Sequence, residues 1–429
     1  MPVSSPQPAL KRELGKWDLT GVGINQVIGS GIFLLPAALA AQVGGWSWIA
    51  VALVAALALL IALNFAEAGS RFDGTGGAYL YTRAAFGRFT SFEVGWMLWV
   101  ARATSWASVV NGLSDALGFY WQGALAGPLR IAIISTVVVT IMAINLRGIR
   151  QSAIVVNTLT FAKLTPLVIF VIVGLPHVST AALAPGGQLG WEQASTTALL
   201  LIFAFGGYET IPVPAGEAKD PRRAVPFAMI TTVLVVALLM ILVQIVAIGT
   251  LPGLAASRTP LADAAALFMG GSGALLLTVG ATISMTGNNM GQALSGSRNL
   301  YALAEQGDLP RVFGHVHHRF RTPDFAIVFT SLISLGLALS GSFAAMAAAS
   351  AVARLLVYVG TCGSVLVLRR EGRASFTIPG GPVVPVVALV ISVAILYGAS
   401  GLQLRVGLGA LAAGAALYLI APRGRAATS

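Results

Sequence analysis

Residues 27–33 read Val-Ile-Gly-Ser-Gly-Ile-Phe and residues 203–209 read Phe-Ala-Phe-Gly-Gly-Tyr-Glu, so both stretches place glycines inside apolar runs. A glycine costs a helix about 1 kcal/mol relative to alanine, and both runs are therefore predicted to break. Gly29 and Gly206 lie 177 residues apart, which fits a five-helix unit present twice and broken in its first helix. Matched breaks indicate a transporter's binding site at mid-membrane, whereas close packing of membrane helices is the alternative reading of such glycines.

The composition around these breaks is that of an integral membrane protein in a lipid bilayer. The chain has 429 residues, of which 56% are hydrophobic and only 10% are charged, whereas a soluble domain has about 25% charged residues. A spanning helix needs about 20 apolar residues. The sequence therefore predicts an all-α polytopic protein with about twelve transmembrane helices, near residues 20–41, 45–68, 89–118, 130–146, 152–175, 193–214, 225–250, 274–303, 324–340, 345–368, 381–402 and 404–421.

The distribution of basic residues predicts the orientation of these spans. Of the 26 Lys and Arg residues, 20 fall in the tails and even-numbered links, three fall in the odd-numbered links, and three fall inside spans. Cytoplasmic loops carry the excess of Lys and Arg, so both termini are predicted to be cytoplasmic, with the protein in the cytoplasmic membrane. The net charge of +11 is then a topology signal, and no nucleic-acid partner is expected.

Enzyme motifs and cofactor motifs are missing from the sequence. It contains no His-Glu-x-x-His, no Gly-x-Ser-x-Gly and no phosphate-binding Gly-x-x-x-x-Gly-Lys-Ser/Thr pattern. His315, His317 and His318 share one link without a neighbouring carboxylate or cysteine, which favours a solvated basic loop over a metal site. No enzymatic activity, cofactor or metal is predicted. Cys362 is the single cysteine, so no disulfide-linked subunit is expected.

Four motifs in the same order resemble those of the amino acid permeases of the amino acid–polyamine–organocation (APC) superfamily, and the resemblance covers nearly the whole chain. The second to fourth are similar to the family patterns EL…GGxYxY…FG, FxGFE…ExxKNP and RxLYAxAxDGxLP. The matching stretches are Ile28–Phe33 in the first span; Glu67–Ala68, Gly76–Tyr81 and Phe86–Gly87; Phe205–Glu209 with Glu217–Pro221; and Arg298–Pro310.

The resemblance implies a LeuT-type fold, in which two inverted five-helix repeats with broken helices 1 and 6 are followed by two C-terminal helices. On this basis residues 1–19 form the N-terminal tail, 20–177 the first repeat and 178–368 the second. Residues 369–429 form the last two helices and the C-terminal tail. The resemblance also implies an amino acid substrate bound between the two broken helices.

Elementary chemistry gives the broken helices complementary roles. Unwound turns leave free N–H and C=O groups, and a half-helix N-terminus favours an anion. The amides of Ser30 and Gly31 are expected to hold the substrate carboxylate. The carbonyls freed at the breaks are expected to accept from its ammonium, namely those of Val27, Ile28, Phe203, Ala204 and Gly206. Phe203 lies where family members place an aromatic gate. The complete set of expected binding residues at the breaks is Val27, Ile28, Gly29, Ser30, Gly31, Phe203, Ala204, Gly206 and Gly207.

Ionisable residues inside spans are costly and suggest function. The family often has a lysine at the position of Lys163, near the sodium site of sodium-coupled relatives. Its ammonium would touch carbonyls and hydroxyls of the first and eighth helices, either as a proton carrier or as a fixed brace. Glu209 suggests gating or proton coupling, or a structural hydrogen bond. Arg102 is a candidate substrate contact, although internal pairing with Glu209 or Glu93 is the favoured alternative.

Together these features predict sodium-independent secondary transport of amino acids by alternating access, through proton coupling or exchange. The main alternative is the same fold carrying a polyamine or another organic amine. A membrane channel is a weaker alternative, because it would lack a closed, saturable site. Asn288 and Asn289 are polar residues of the eighth span for which pocket and interhelical roles both stay open.

Overall fold

The computed structural model describes residues 14–73, 76–147, 153–372 and 374–420, without the side chains of residues 153–159 and 216–217. The described part consists of helices, short 3₁₀ turns and one isolated β-bridge, with no strand. Its helices are α1 Lys16–Val27, α2 Gly31–Val43, α3 Ser47–Gly69, α4 Ala78–Phe86, α5 Arg88–Leu117, α6 Gly127–Arg147, α7 Ala153–Gly174, α8 Trp191–Phe205, α9 Pro221–Thr250, α10 Pro260–Glu305, α11 Asp324–Ser340, α12 Phe343–Leu368, α13 Val383–Tyr397 and α14 Gly401–Ile420.

Each of the twelve predicted ranges overlaps a helix or a broken pair of helices, although α13 covers only residues 383–397 of the predicted range 381–402. The short helix α4, between the second and third ranges, is an element that hydropathy did not indicate. The 46-residue helix α10 contains a kink at Gly270, where φ is +66°. Most of the predicted N-terminal tail and nearly all of the C-terminal tail lie outside the described residues, as do six of the basic residues used for the orientation: Lys11, Arg12, Arg150, Arg373, Arg423 and Arg425.

Seven helical segments of the described part are long and apolar enough to cross a membrane, or eight if one bent pair counts as a single span. These segments establish the polytopic, all-helical class of the fold. They are Gly31–Gly69, Gly127–Arg147, Thr160–His177, Pro221–Thr250, Pro260–Glu305, Phe343–Leu368 and Gly401–Ile420, with Trp191–Phe205 and Tyr208–Ala215 as the bent pair.

Helix α5 is the centre of the bundle, although its composition is too polar for it to count among those segments. It packs along α10 and α12, and 23 of its 30 residues are buried. By contrast, only two of the 20 residues of α14 are buried, so α14 presents an apolar surface to the surroundings. Many polar side chains of α5, such as Arg102, Ser105 and Asn111, are therefore buried in protein, where the functional site is found.

Candidate substrate-binding site

The first predicted break lies between α1 and α2. Ile28 is extended (φ −76°, ψ 92°), and the chain turns at Gly29 and Ser30 before α2 begins at Gly31. Within the described residues, the amides of Gly29, Ser30, Gly31 and Ile32 have no hydrogen-bond partner. Free amides at a helix N-terminus form an anion-binding site, since the helix dipole adds a partial positive charge there.

The second predicted break follows α8. Gly206 is extended (φ −68°, ψ 142°), and Gly207 has φ +135° and leads into a short 3₁₀ turn at Tyr208–Thr210. The segments on either side of the break are bent by 41°. The Phe203 carbonyl accepts from the Gly206 amide at 3.1 Å, whereas the carbonyls of Ala204 and Gly206 have no partner in the described part of the chain.

The two breaks touch each other through their glycines. A Cβ atom added to Gly207 would lie 2.6 Å from the carbonyl carbon and oxygen of Gln26, and one added to Gly31 would lie 3.1 Å from Ala204. Real Cβ atoms essentially never approach backbone atoms to 2.6 Å, so only glycine fits at position 207. Glycine at position 207 allows the main chain of the second break to contact that of the first.

A small cavity lies between the breaks. Six of its lining side chains are polar, and Arg354 is the ionisable one among the described residues that line it. The Ser30 hydroxyl is buried in its wall, and no described residue forms a hydrogen bond with it. The lining residues are Gln26, Val27, Gly29, Ser30, Gly31, Ser105, Val109, Phe203, Ala204, Gly206, Asn288, Gln292 and Arg354.

Three predicted binding residues lie beside the cavity but do not line it. The Ile28 carbonyl is already occupied by two donors, Lys163 Nζ at 2.8 Å and Ser284 Oγ at 3.1 Å. Gly207 faces the main chain of Gln26. Arg102 forms internal pairs instead, as described below. The other seven predicted residues at the breaks line the cavity. Of the four predicted acceptors among them, Val27, Ala204 and Gly206 keep carbonyls without a partner in the described part of the chain, whereas the Phe203 carbonyl accepts from the Gly206 amide.

Lys163 of α7 is completely buried beneath the first break. Its ammonium donates to the carbonyls of Asn25 at 3.0 Å and Ile28 at 2.8 Å. Ser284 of α10 donates to the same Ile28 carbonyl. The ammonium therefore satisfies two carbonyl acceptors that the helix break has freed.

Glu209 is the centre of a buried charge cluster next to the cavity. Its Oε1 accepts from Arg102 Nη2 at 3.1 Å and also from Arg354 Nη1. Its Oε2 accepts from the Gly207 amide at 2.8 Å and from Tyr358 at 3.3 Å. All three charged side chains are 1% exposed. Two guanidinium groups thus share one carboxylate, which leaves one positive charge in excess.

Arg102 donates its other terminal nitrogen to Gln292 Oε1 at 3.2 Å. Arg102 therefore pairs with other protein side chains and does not face the cavity. Glu93 is not its partner, because neither Glu93 carboxylate oxygen has a hydrogen bond within the described ranges. Glu93 lies beside Gly414 of α14 instead.

Arg354 is a site residue that the sequence analysis does not assign, although its charge inside a predicted span is a signal for function. Arg354 was one of three basic residues inside predicted spans, and the argument applied to Lys163 and Arg102 extends to it. The remaining unassigned lining residues, Gln26, Ser105, Val109 and Gln292, carry no comparable signal because uncharged side chains in spans are common. Asn288, whose role was open, lines the cavity and donates to the Gln26 carbonyl at 2.9 Å.

Two of the family-like motifs meet each other away from the cavity. Tyr79 donates to Asp308 Oδ2 at 3.0 Å, and Arg88 Nε donates to Asp308 Oδ1 at 2.6 Å. Burial, together with the Asp308 charge, raises the pKa of Tyr79 to about 12. These residues join the α4–α5 junction to the end of α10, so the motifs have a structural role there.

The histidine link and the cysteine do not line the cavity between the breaks. His315 pairs with Asp324 at 2.7 Å, and within the described ranges no group of three His, Cys, Asp or Glu residues could hold a metal ion. Cys362 is buried in α12, and a single cysteine gives no disulfide within the chain.

An all-helical chain with several membrane-crossing helices, and with two glycine breaks around a buried polar cavity, has the features of a multi-pass membrane transporter. Residues 14–404 match the family of amino acid permeases, and the chain belongs to this family. Members of this family are transporters and not enzymes, as the names of the relatives below also state.

Three relatives from Bacillus subtilis (strain 168) match almost end to end. The methylthioribose transporter is 28% identical, covering 93% of this chain and 91% of its own. The branched-chain amino acid permease BcaP is 28% identical, covering 90% and 88%. The serine/threonine exchanger SteT is 27% identical, covering 89% of both.

Proposed function

We propose that the protein is a secondary active transporter that carries amino acids across the cytoplasmic membrane by alternating access. The observation that carries this proposal is the pairing of unsatisfied groups across one cavity. Free amides stand at one break, and free carbonyls stand at both breaks. An α-amino acid carries one carboxylate and one ammonium on the same carbon, and it would satisfy both sets at once.

The substrate carboxylate would bind at the N-terminus of α2, where the Ser30 and Gly31 amides and the Ser30 hydroxyl have no partner among the described residues. The ammonium would donate to the free carbonyls of Val27, Ala204 and Gly206. Phe203, at the end of α8 and in the cavity wall, would close over the bound substrate. Burying these groups unpaired would cost about 1–3 kcal/mol each, and their pairing supplies binding energy.

The order of helices supports a twofold architecture. Four long helices follow the first break (α3, α5, α6 and α7), and four follow the second (α9, α10, α11 and α12). We propose that residues 20–177 and 178–368 are inverted five-helix repeats of the LeuT type, with α13 and α14 as two additional spans. Twelve crossings would place both termini in the cytoplasm.

Lys163 supports sodium-independent transport. Its ammonium already donates to the carbonyls of Asn25 and Ile28. A sodium ion would have to displace this ammonium, which is part of the protein, to bind the same carbonyls. Coupling would then come from protons or from exchange. In the first case Lys163 itself would release and rebind the proton, and in the second it would remain a fixed brace.

The lining of the cavity disfavours a polyamine or another polycation. Arg354 is the charged group among the described lining residues, and like charges repel in a low-dielectric site. One relative of this chain, the methylthioribose transporter, is named for a substrate that is not an amino acid. Methylthioribose therefore belongs in the substrate panel as a competing outcome.

Counterflow in proteoliposomes tests the proposal. Vesicles loaded with one unlabelled amino acid would be diluted into its labelled form without sodium, across a panel of amino acids, spermidine and methylthioribose. Transient, saturable accumulation of an amino acid supports the proposal. Accumulation that needs sodium contradicts the role given to Lys163. Accumulation of spermidine or methylthioribose alone contradicts the substrate class, and leakage without saturation would indicate a channel.

A further inference from the structure

We infer that Arg354 selects amino acids that carry a second acidic group, such as aspartate or glutamate. This inference rests on the proposed function and names the substrate class of the same cavity. It places the α-carboxylate and α-ammonium of the substrate at the helix breaks and the side-chain carboxylate at Arg354 of α12.

The position of Arg354 is the first argument. Its side chain is 1% exposed, lines the cavity, and lies so close to the second break that a Cβ atom added to Gly206 would be 2.6 Å from the guanidinium. An arginine held against the main chain where the substrate head group binds is within reach of a short acidic side chain. Arg102, the other arginine of the cluster, does not line the cavity.

The hydrogen-bonding capacity of Arg354 is the second argument. A guanidinium has five N–H donors. Three contacts are present within the described residues: Nε to Ser350 Oγ at 3.3 Å, Nη2 to Ser105 Oγ at 2.9 Å, and Nη1 to Glu209. Each terminal nitrogen therefore keeps one N–H for an additional acceptor. Carboxylates are the preferred bidentate partners of arginine.

The charge balance is the third argument. Arg102 and Arg354 share the single carboxylate of Glu209, so the buried cluster carries one uncompensated positive charge. A net charge that is buried without compensation is destabilising. A substrate carboxylate would neutralise it, an amide would not, and a cationic side chain would double the charge.

The wild-type protein alone tests this inference. Counterflow of the labelled amino acid that accumulates in the panel is measured with an unlabelled competitor present. Glutamate is compared with glutamine, and aspartate with asparagine, at equal concentrations. We expect each acid to compete at least 30-fold more strongly than its amide, the equivalent of about 2 kcal/mol. Equal competition, or transport confined to neutral amino acids, would overturn the inference while leaving amino acid transport intact. Counterflow of no amino acid would instead overturn the proposed function itself.

Two variants with the same change of charge test the residue. In Arg354→Gln, Glu209 keeps Arg102 and the Gly207 amide as partners, so no carboxylate is stranded. Arg102→Gln removes the same charge without removing a contact to the cavity. We expect the acid-over-amide ratio to fall about 30-fold in Arg354→Gln and clearly less in Arg102→Gln. Equal falls, or a larger fall in Arg102→Gln, would overturn the assignment of Arg354.

Discussion

Gly207 illustrates how one residue type can determine a site. Its φ of +135° is a conformation that other residues rarely adopt, and its missing side chain leaves room for the Gln26 carbonyl. Gly372 has nearly the same φ, +143°, but faces open space. Both glycines therefore have a backbone conformation that strains other residues, but only Gly207 also needs room for a neighbouring main chain. Comparing variants at the two positions distinguishes these two effects.

We expect Gly207→Ala to abolish substrate binding and transport, because the new methyl group would push the two breaks apart. Gly372→Ala carries a similar cost of backbone strain, about 1–3 kcal/mol, and should keep transport. Uptake and the thermal unfolding midpoint of both variants in detergent are the measurements. Equal loss of transport in the two variants would show that strain alone is responsible.

Lys163 offers a second prediction for a single residue. Lys163→Gln removes the ammonium but leaves a side chain that can donate to the carbonyls of Asn25 and Ile28. If Lys163 carries the coupled proton, uptake by the variant should no longer respond to an imposed proton gradient, whereas wild-type uptake rises with it. Lys219→Gln is a control, because Lys219 is exposed and lies two residues before α9. An unchanged response in Lys163→Gln would leave this lysine only the role of a brace.

At the scale of elements, the Glu209 cluster joins three parts of the bundle. Arg102 comes from α5, Arg354 comes from α12, and Glu209 follows the break after α8. Ser105 of α5 and Ser350 of α12 lie 2.8 Å apart beside it. Moving any one of these elements would separate charges from their partner, so the cluster holds the second break against α5 and α12.

A double-mutant cycle measures this coupling. Glu209→Gln strands two buried guanidinium groups and should cost about 3–5 kcal/mol of stability. Arg102→Gln leaves Arg354 paired with Glu209 and should cost less. The double variant restores an excess of one positive charge, so we expect its loss of stability to be smaller than the sum of the single losses by about 0.5–3 kcal/mol. Strictly additive losses of stability in chemical or thermal unfolding would argue against a shared cluster.

The helices and the breaks could be predicted from the sequence, because apolar run length and interrupting glycines are local signals. The pairing of charges could not. Arg102 and Glu209 are 107 residues apart, and Arg354 and Glu209 are 145 apart, so tertiary packing decides which in-span charges meet. The prediction that the Ile28 carbonyl binds substrate meets the same limit. Only the packing of α7 shows that Lys163 already occupies this carbonyl. Helix α4 was missed because nine residues with few long apolar side chains give no span signal.

At the scale of the whole molecule, the basic residues predict which ends of the helices face the cytoplasm. The link around Arg319 should be inside and the link around Arg258 outside, with α10 crossing the membrane between them. Two exposed positions, Ala256 and Arg319, report on these links. The native Cys362 is buried, so cysteines introduced at exposed positions would be labelled over a low background.

We expect a membrane-impermeant maleimide to label Ala256→Cys in intact cells, and to label Arg319→Cys only after the membrane is permeabilised. The wild-type chain, with Cys362 alone, should stay unlabelled in both conditions. The opposite pattern would invert the orientation, because the side rich in Lys and Arg would then face outward, against the asymmetry of cytoplasmic loops. Labelling of both variants in intact cells would mean that α10 does not cross the membrane between the two links. A single crossing there is required for twelve spans, because it gives the links on either side of α10 opposite exposures.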